Sequence, residues 1–464
     1  MDSRHVKLPP EFLERMHAEL GDSFQAFEAS YSDCPRKGIR ANLLKTNREE
    51  LLDKLPADFQ AQPVPWCSEG LYIDSKARPG KNLGYYTGLY YPQEPSAMLP
   101  AQALAPEKGE LILDLCAAPG GKSTQIASLT GGTGTLVSNE LVKSRSGILA
   151  SNIERMGIPN AVILNEFPER LVPAFYEKFD RILTDAPCSG EGMFRKDPAV
   201  AGEWTPGRPA ACAARQKNIL KTVDKLLKPG GTLVYSTCTF APEENEEIAR
   251  YLVESGRYVQ EPLSFEGIEP QIDPLTGNPA KDVHVYPHLA EGEGHYVARF
   301  TKTESCGEKP SGKRKALSPW KNASKRDLAD YEKFRTVFMP DKLFENLHIR
   351  DDKLYALPEH IHSDVLSGLK VIKPGLEIGS FRKGRFEPSH SLAMALKADE
   401  VSNSAELTED ELWCYLRGEE IRPAVPVVNG WTLVLYDGCP VGFGKTSNGV
   451  IKNKYPKGLR IYKK

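Results

Sequence analysis

Residues 111–124 read LILDLCAAPGGKST, a short apolar run followed by a glycine-rich turn and the first residues of a predicted helix. In such a strand-turn-helix unit the glycines let the backbone approach a ligand, and the helix N-terminus offers amide donors. The turn is not a phosphate-binding P-loop, because Cys116 stands where that pattern needs a glycine five residues before Gly121. It is not a dinucleotide fingerprint either, because G-x-G-x-x-G is absent. The segment predicts a ligand site at the carboxyl end of a strand.

The alternation of short apolar runs and helical stretches continues on the C-terminal side of this segment. Strand-like runs occur at TLVSNEL, NAVILNE, FDRILTDAP and TLVYSTCT, and helical stretches near residues 143–156, at RQKNILKTVDKLL and at EENEEIARYLVE. Parallel strands need crossover connections that are usually helical. The pattern therefore predicts an α/β fold with a doubly wound, mostly parallel sheet that helices cover on both faces.

Reactive side chains follow several of these strands. Glu140 ends the second strand, where doubly wound folds place an acid against ribose hydroxyls. Asp185 and Cys188 follow the fourth strand in DAPCSGEG, and Cys238 follows the fifth in YSTCTF. A lone cysteine after a strand is more often a buried small hydrophobe than a nucleophile. Two thiols and an acid in loops that border one crevice favour a reactive site.

This set of groups suits methyl transfer to carbon 5 of a cytosine. Carbon 5 is a weak nucleophile, so a thiolate must first add to carbon 6 to make an enamine-like species that attacks a sulfonium methyl group. Asp185, if protonated or sharing a proton with the base, would stabilise the charge near ring N3. An unperturbed thiol is mostly protonated at neutral pH. Lys122, Lys143 and Arg195 are candidate cations near it, and each could equally contact a phosphate or be solvated.

DLCAAPGGK, FDRILTDAPCSG and STCT resemble the cofactor loop, the signature segment and the second-cysteine motif of the bacterial NOL1/NOP2/Sun group of RNA cytosine-5 methyltransferases. GIRANLLKT, YYPQEPSA, GEGHYVARF, KGRFEPSHSLAMAL and NKYPKGLR extend the resemblance over nearly the whole chain. The resemblance implies the class I S-adenosylmethionine methyltransferase fold, with S-adenosylmethionine as the cofactor. It implies transfer of a methyl group to carbon 5 of cytosine in RNA, and 16S ribosomal RNA is the expected substrate and partner.

Residue by residue, the resemblance makes Cys238 the attacking nucleophile, Cys188 the cysteine that helps release the product, and Asp185 an acid beside the cofactor and the target base. The expected cofactor contacts are Asp185, Glu140 and the loop residues Cys116, Ala117, Ala118, Pro119, Gly120, Gly121 and Lys122. Cys188 stays open as an alternative nucleophile, because DNA cytosine-5 methyltransferases attack with the cysteine of a Pro-Cys motif. Where the family commonly has an acid near the adenine, this chain has Phe167. An apolar or backbone contact could serve instead, or Asn165 or Glu166 could supply the hydrogen bond, so this contact stays open.

Charge and composition limit the kinds of binding partner and the cellular compartment that are expected for this chain. The formal net charge is -2, but from Lys445 onward the chain carries seven Lys or Arg residues and no acid, with Tyr455 and Tyr462 among them. This basic end is either RNA-facing or a solvated tail. The predicted RNA contacts are Lys445, Lys452 and Lys454 in this end, together with Arg40. The nine cysteines show no C-x-x-C spacing, so no metal or disulfide framework is expected. No apolar run has the length of a membrane span, which predicts a cytoplasmic protein.

We predict five regions along the chain. Residues 1–80 form a small α+β RNA-binding domain, 81–302 the catalytic domain, 303–325 a linker and 326–399 an intermediate domain. Residues 400–464 form a β-rich module, which the resemblance identifies as PUA-like and RNA-binding. No obligate protein partner is expected.

Two other functions would leave different features in the sequence. A non-enzymatic assembly factor would show a missing cysteine or a broken cofactor loop, and both are intact here. An enzyme that methylates adenine or a protein nitrogen typically shows an Asn/Asp-Pro-Pro-aromatic loop, where this chain has DAPC.

Overall fold

A computed structural model describes residues 6–273, 276–307 and 320–461. Within these ranges the chain forms four units in sequence, each built on one β-sheet. The sheet of the first unit has the order β2-β3-β1-β4 and is antiparallel throughout. The unit contains α1 (Pro10–Leu20), α2 (Phe24–Ser30), β1 (Lys37–Ala41), α3 (Arg48–Lys54), β2 (Gln62–Pro63), β3 (Gly70–Ile73), α4 (Leu83–Tyr86) and β4 (Tyr90–Pro92).

The first unit shares its core with the second. Strand β4 adds residues 90–92 to the first sheet, beyond the boundary predicted at residue 80. Tyr91 and Met98 pack in the same buried cluster as Ile112 and Leu136 of the second unit. Because apolar side chains of both units are buried together, the first unit holds a fixed position over the second sheet.

The second unit contains the sheet that the alternating sequence pattern predicts. Strands β7, β6, β5, β8 and β9 lie side by side in that order and are parallel, and β10, β11 and β12 continue the sheet antiparallel beyond β9. The prediction of a doubly wound, mostly parallel α/β sheet is confirmed. The elements are α5 (Leu99–Leu104), β5 (Leu111–Asp114), α6 (Gly121–Leu129), β6 (Thr135–Asn139), α7 (Lys143–Arg155), β7 (Ala161–Leu164), α8 (Val172–Phe175), β8 (Phe179–Asp185), α9 (Pro198–Glu203), α10 (Arg208–Leu226), β9 (Leu227–Thr237), α11 (Glu246–Glu254), β10 (Tyr258–Glu261), β11 (Val283–Val285) and β12 (His295–Lys302).

The central strands of this sheet bury side chains on both faces. On β5, Leu111 and Leu113 join one buried cluster and Ile112 joins the other, and Val162 and Ile163 of β7 divide in the same way. Strand side chains alternate with period two, so a strand covered on both sides reads as a continuous apolar run. The strand order reverses between β5 and β8, which places a crevice at the carboxyl ends of these two strands.

The third and fourth units are rich in strands, and the predicted β-rich C-terminal module is confirmed. Their sheets have the orders β13-β14-β15-β17-β18 and β19-β20-β21-β22. The third unit contains β13 (Lys321–Asn322), α12 (Ala329–Phe338), β14 (Leu347–Arg350), β15 (Lys353–Ala356), β16 (Val371–Lys373), β17 (Leu376–Arg382), β18 (Arg385–Pro388) and α13 (His390–Ala395). The fourth contains β19 (Ser404–Glu406), α14 (Glu409–Arg417), β20 (Gly430–Tyr436), β21 (Cys439–Ser447) and β22 (Val450–Asn453).

The connections between units differ from the sequence expectation in two places. Strand β16 pairs antiparallel with β7 at the edge of the second sheet, so the predicted intermediate domain is tied to that sheet by its backbone. Of the linker predicted at 303–325, residues 308–319 lie outside the described residues. Its ends are folded, because the Cys306 amide donates to Glu177 Oε1 at 2.7 Å and residues 321–322 form β13.

The described helices include none with the length and apolar character that crossing a membrane requires. Tyr462, Lys463 and Lys464 of the predicted basic end lie outside the described residues.

Candidate active site at the carboxyl edge of the second sheet

The glycine-rich loop after β5 is fixed from several sides. Gly120 has a φ of +115°, a backbone angle that favours glycine. The Ala117 amide donates to Asn139 O at 2.9 Å, and Ser123 Oγ donates to the buried Asp114 carboxyl at 2.6 Å. The first-turn amides of a helix have no partner within the helix. The loop and the start of α6 can therefore bind a polar ligand at this edge.

Glu140 lies at the end of β6, beside this loop. Its Oε1 accepts a hydrogen bond from the Val142 amide at 2.8 Å, and its Oε2 lies 3.5 Å from Arg145 Nη1. Arg145 Nη2 also donates to Ala118 O at 2.7 Å, so one guanidinium connects Glu140 to the loop. The carboxylate is held at a place where it can accept hydrogen bonds from the hydroxyls of a bound ribose.

The three residues after β7 have different environments. Asn165 Nδ2 donates to Glu140 O and Leu141 O, both at 2.8 Å, and Glu166 Oε1 accepts from the Lys370 amide at 2.8 Å. Both of these side chains are therefore engaged by the protein itself. Phe167 is 57% exposed at the same end of the strand. An aromatic ring, rather than a free acid, is what this position offers to a ligand.

Asp185 ends β8 and is paired with a lysine from the cofactor-loop helix. Lys122 Nζ lies 2.7 Å from Asp185 Oδ2, Ser236 Oγ donates to Oδ1 at 2.8 Å, and His295 Nε2 lies 3.9 Å from Oδ1. Burial disfavours the charged form of Asp185, but the Lys122 ammonium and the nearby His295 hold the pKa of this carboxyl below its usual value. Asp185 is thus ionised in the free protein, and a proton at this carboxyl would have to arrive with the substrate.

The two predicted cysteines are brought together. Cys188 Sγ and Cys238 Sγ lie 3.3 Å apart, and the Cys238 amide lies 3.4 Å from Cys188 Sγ. Both are free thiols. The hydrogen bond with Cys238 and burial raise the pKa of Cys188 well above its ordinary value. Cys188 therefore keeps its proton in the free protein.

The three cations expected near the thiols have different positions. Burial disfavours the charged form of Lys122, but Asp185, with smaller contributions from Asp114 and Cys238, raises the pKa of Lys122 above its usual value. Arg195 is instead paired with the buried Glu293 at 3.1 Å, and Lys143 is exposed at the start of α7. Of the three, Lys122 is the one that faces the reactive groups.

A buried glutamate that the sequence analysis missed joins the two cysteine loops. Glu244 accepts hydrogen bonds from Ser189 N at 3.0 Å, from Ser189 Oγ and from Gln216 Nε2 at 2.8 Å. Ser189 follows Cys188 in sequence, and its Oγ lies 2.7 Å from the hydroxyl of Thr239, which follows Cys238. Burial raises the pKa of Glu244 to about 7. In sequence this residue lies in the acidic run EENEE, which resembles a solvated helix start, so its burial could not be read from the pattern.

The N-terminal helix α1 contacts the same loops. Arg15 Nη2 lies 2.5 Å from the buried carboxylate of Glu191, which also accepts from Trp204 Nε1 at 2.9 Å and from the Phe240 amide at 3.2 Å. Phe12 of α1 packs edge-on against Phe194 with ring centroids 5.1 Å apart. Residues near the N-terminus therefore help to fix the loop that carries Cys188.

The prediction that Arg40 contacts RNA phosphates is wrong. The side chain is fully buried, because Nε donates to Gln93 Oε1 at 3.0 Å and Nη2 donates to Thr124 Oγ1 at 2.8 Å. Nη2 also reaches the carbonyl oxygen of Gly121 at 3.3 Å. Arg40 joins the first sheet to the start of α6 and is out of reach of a phosphate.

The three lysines predicted to contact RNA are exposed on one face of the fourth sheet. Lys445 lies opposite both Trp431 and Lys452 in neighbouring strands. The Nζ atoms of Lys445 and Lys454 lie 5.7 and 5.6 Å from the Trp431 ring centroid. Cations grouped around an aromatic ring are typical of surfaces that bind single-stranded nucleic acid.

Family models match this chain over most of its length. The model for the 16S rRNA methyltransferase RsmB/F matches residues 101–301, and the N-terminal domain of the 16S rRNA methyltransferase RsmF matches residues 8–95. The first C-terminal domain of the RsmF rRNA methyltransferase matches residues 333–396, and the methyltransferase RsmF PUA domain matches residues 402–461.

Similar proteins cover nearly the whole chain. Ribosomal RNA small subunit methyltransferase F of Vibrio campbellii is 33% identical over 98% of this chain and 98% of its own length. The protein of the same name from Enterobacter sp. is 34% identical over 99% of this chain and 97% of its own length. A solved methyltransferase homolog protein from Pyrococcus horikoshii has 28% identity and a TM-score of 0.55 over 64% of this chain and 100% of that chain. NSun6 from the same organism, solved with SFG, has 23% identity and a TM-score of 0.57 over 64% and 99%, and shares the fold.

Proposed function

The chain belongs to the RsmB/F family of 16S rRNA methyltransferases, with the additional domains of the F type, and we propose that it methylates carbon 5 of a cytosine in 16S ribosomal RNA through a Cys238 adduct. Its cofactor is S-adenosylmethionine. The observation that carries the cytosine-5 chemistry is the Cys188–Cys238 pair, with 3.3 Å between the sulfur atoms, at the crevice beside Asp185 and Lys122. Methyl transfer to a ring nitrogen needs no such pair of thiols.

The residues at the edge of the sheet fit this cofactor. The glycine-rich loop can bind its polar groups, the Glu140 carboxylate can accept from the ribose hydroxyls, and the exposed ring of Phe167 offers an apolar surface for the adenine. When bound, the cofactor supplies an electrophilic methyl group.

Cys238 is assigned as the nucleophile and Cys188 as its partner. Cys188 retains its proton, whereas Cys238 interacts electrostatically with the Lys122 ammonium. Attack forms the bond between Cys238 Sγ and carbon 6 and moves an electron pair towards carbon 5, which takes the methyl group. Loss of the carbon 5 proton then returns an electron pair to the ring and expels the Cys238 thiolate.

Cys188 is suited to take the carbon 5 proton only after the adduct has formed. Its pKa is raised first of all by the interaction with Cys238. In the adduct Cys238 is a neutral thioether, so the charge that disfavours ionisation of Cys188 is removed. The Cys188 thiolate can then act as the base that completes the reaction.

The proposed function is tested by identifying which nucleoside of the RNA receives the labelled methyl group. Purified protein is incubated with tritiated S-adenosylmethionine and 16S ribosomal RNA that lacks methyl groups, either as free RNA or within the small subunit, and the RNA is digested to nucleosides. We expect the label in 5-methylcytidine. Label in another nucleoside would exclude the proposed chemistry, and RNA binding without any label would favour the non-enzymatic alternative.

The exposed lysines of the fourth sheet are proposed to bind RNA phosphates. Replacing Lys445, Lys452 and Lys454 together with alanine should weaken RNA binding. It should also make the negative slope of log K against log salt shallower by about 2 to 3, because each lysine displaces roughly one counterion. Filter binding across a salt series measures both effects. The control replaces three exposed lysines of the second unit, Lys178 before β8 and Lys221 and Lys225 on α10. Equal slopes for the two triple variants would contradict the assignment.

A further inference from the structure

His295 lies next to the reactive groups but has no role in the chemistry above. It begins β12, which runs antiparallel to β9, so this residue is at the same edge of the sheet as Cys238. The register pairs Tyr296 with Thr237 and Val297 with Ser236. The next position in this register brings His295 opposite Cys238.

The imidazole shares one face of the sheet with the catalytic groups. Residues opposite each other on antiparallel strands project to the same side, and alternate residues of a strand return to that side. Cys238, Ser236 and His295 therefore share a face, and Ser236 Oγ reaches Asp185 Oδ1 at 2.8 Å. His295 Nε2 lies 3.9 Å from the same Oδ1.

This distance is too long for a direct hydrogen bond, but a donor within about 3 Å of both atoms could bridge them. His295 is only 4% exposed, and its Nε2 has no hydrogen-bond partner among the residues that the structure describes. Buried polar atoms without partners are uncommon in native proteins and call for an explanation. The Asp185 side chain, in contrast, is 28% exposed towards solvent. A donor bound at Asp185 would therefore lie close to the buried His295 Nε2.

Both groups can act as hydrogen-bond acceptors at neutral pH. Burial and the Lys122 ammonium lower the pKa of His295 to about 4, so the imidazole is neutral, and in the tautomer protonated at Nδ1 its Nε2 carries a lone pair. Asp185 is ionised and accepts hydrogen bonds only. Two neighbouring acceptors favour a ligand group with two N–H donors.

We propose that His295 and Asp185 together bind the exocyclic amino group of the target cytosine, and that His295 determines specificity for cytosine over uracil. The inference rests on the proposed function, since it takes cytosine as the substrate. Cytosine carries an NH₂ group at carbon 4, with two donors, whereas uracil carries a carbonyl oxygen there. Uracil would place that oxygen against two acceptors. Sites built on such hydrogen bonds reject the wrong substrate because their polar groups are left unpaired.

The test compares two synthetic RNAs that differ only in having C or U at the mapped target position. Single-turnover methylation is measured for wild type, His295→Phe and His295→Gln. The phenylalanine variant should methylate the C substrate about 10- to 100-fold more slowly, because a ring of similar size lacks the acceptor. Its preference for C over U should fall by a similar factor. The glutamine variant keeps an acceptor oxygen and should recover most of the rate.

Two controls separate specificity from folding. Affinity for S-adenosylhomocysteine should stay within about twofold of wild type in both variants, since His295 is assigned to the base and not to the cofactor. His348→Phe, at a buried histidine of the third unit, should leave the C over U preference unchanged.

The outcomes distinguish this inference from the proposed function. If His295→Phe keeps the wild-type rate and preference while the wild type makes 5-methylcytidine, the inference is wrong and the function stands. A rate loss matched by weaker binding of S-adenosylhomocysteine would make His295 a support of the cofactor site and would also overturn it. If the wild type labels no cytosine, the proposed function fails and this inference fails with it.

Discussion

Replacing Cys238 with alanine is expected to lower the rate of 5-methylcytosine formation by about 10⁴-fold or more and to abolish any covalent RNA-protein adduct. Without a thiolate at carbon 6, carbon 5 of the ring is not activated, and positioning alone cannot replace the missing covalent step. Binding of S-adenosylhomocysteine should change little, because the cofactor loop and Glu140 are untouched. Nucleoside analysis, denaturing gels of the protein-RNA mixture and a cofactor titration measure the three effects.

The matched control is Cys212→Ala. Cys212 is a buried cysteine of α10 in the same unit, and it is distinct from the reactive thiol pair. This variant should keep a rate near that of wild type. A Cys238→Ala protein that still forms an adduct and turns over would show that Cys188 is the nucleophile, as in the Pro-Cys scheme of DNA methyltransferases.

Local sequence patterns were sufficient to predict the central sheet and the grouping of the reactive side chains at its edge. The apolar run at residues 111–113 is continuous because β5 is buried on both faces, and parallel strands have all their carboxyl ends at one edge. That rule is enough to expect Asp185, Cys188 and Cys238 near one another, and the structure places the two sulfur atoms 3.3 Å apart.

Contacts between segments that are distant in sequence could not be predicted from local sequence patterns. Arg40 looks like a surface cation in sequence, and its burial depends on Gln93 and Thr124, which are 53 and 84 residues away along the chain. Glu244 lies in an acidic run, yet it is enclosed by Ser189 and Gln216. Neither environment has a periodic signature, because each arises from contacts between segments that are distant in sequence.

The pairing of β16 with the edge of the second sheet could not be predicted from local sequence patterns either. Residues 371–373 belong to a region that reads as a separate domain, but β16 pairs with β7 and the Lys370 amide donates to Glu166 Oε1 at 2.8 Å. This contact engages the acid that the sequence analysis considered for the adenine. The side chain left at that position is Phe167, so the choice among the three residues needed the tertiary structure.

Replacing Cys188 with alanine is expected to trap the reaction after methyl transfer, so that a covalent RNA-protein adduct accumulates while turnover falls by about 10² to 10⁴-fold. The Cys238 nucleophile remains, so attack and methyl transfer still proceed. The base that removes the carbon 5 proton is missing, and the thioether cannot leave until that proton is lost. Denaturing gels with tritiated cofactor should show the label moving with the protein.

The double variant Cys188→Ala/Cys238→Ala identifies which sulfur carries the adduct. If the assignment is right, the adduct of the single Cys188 variant disappears in the double variant, because no thiolate is left to attack. If Cys188→Ala forms no adduct and loses methylation while Cys238→Ala retains it, the roles of the two cysteines are reversed. The 3.3 Å separation allows either sulfur to reach the ring, so the raised pKa of Cys188 and the position of Lys122 are what favour Cys238. The adduct experiment therefore tests whether proton affinity, rather than distance, decides between two adjacent thiols.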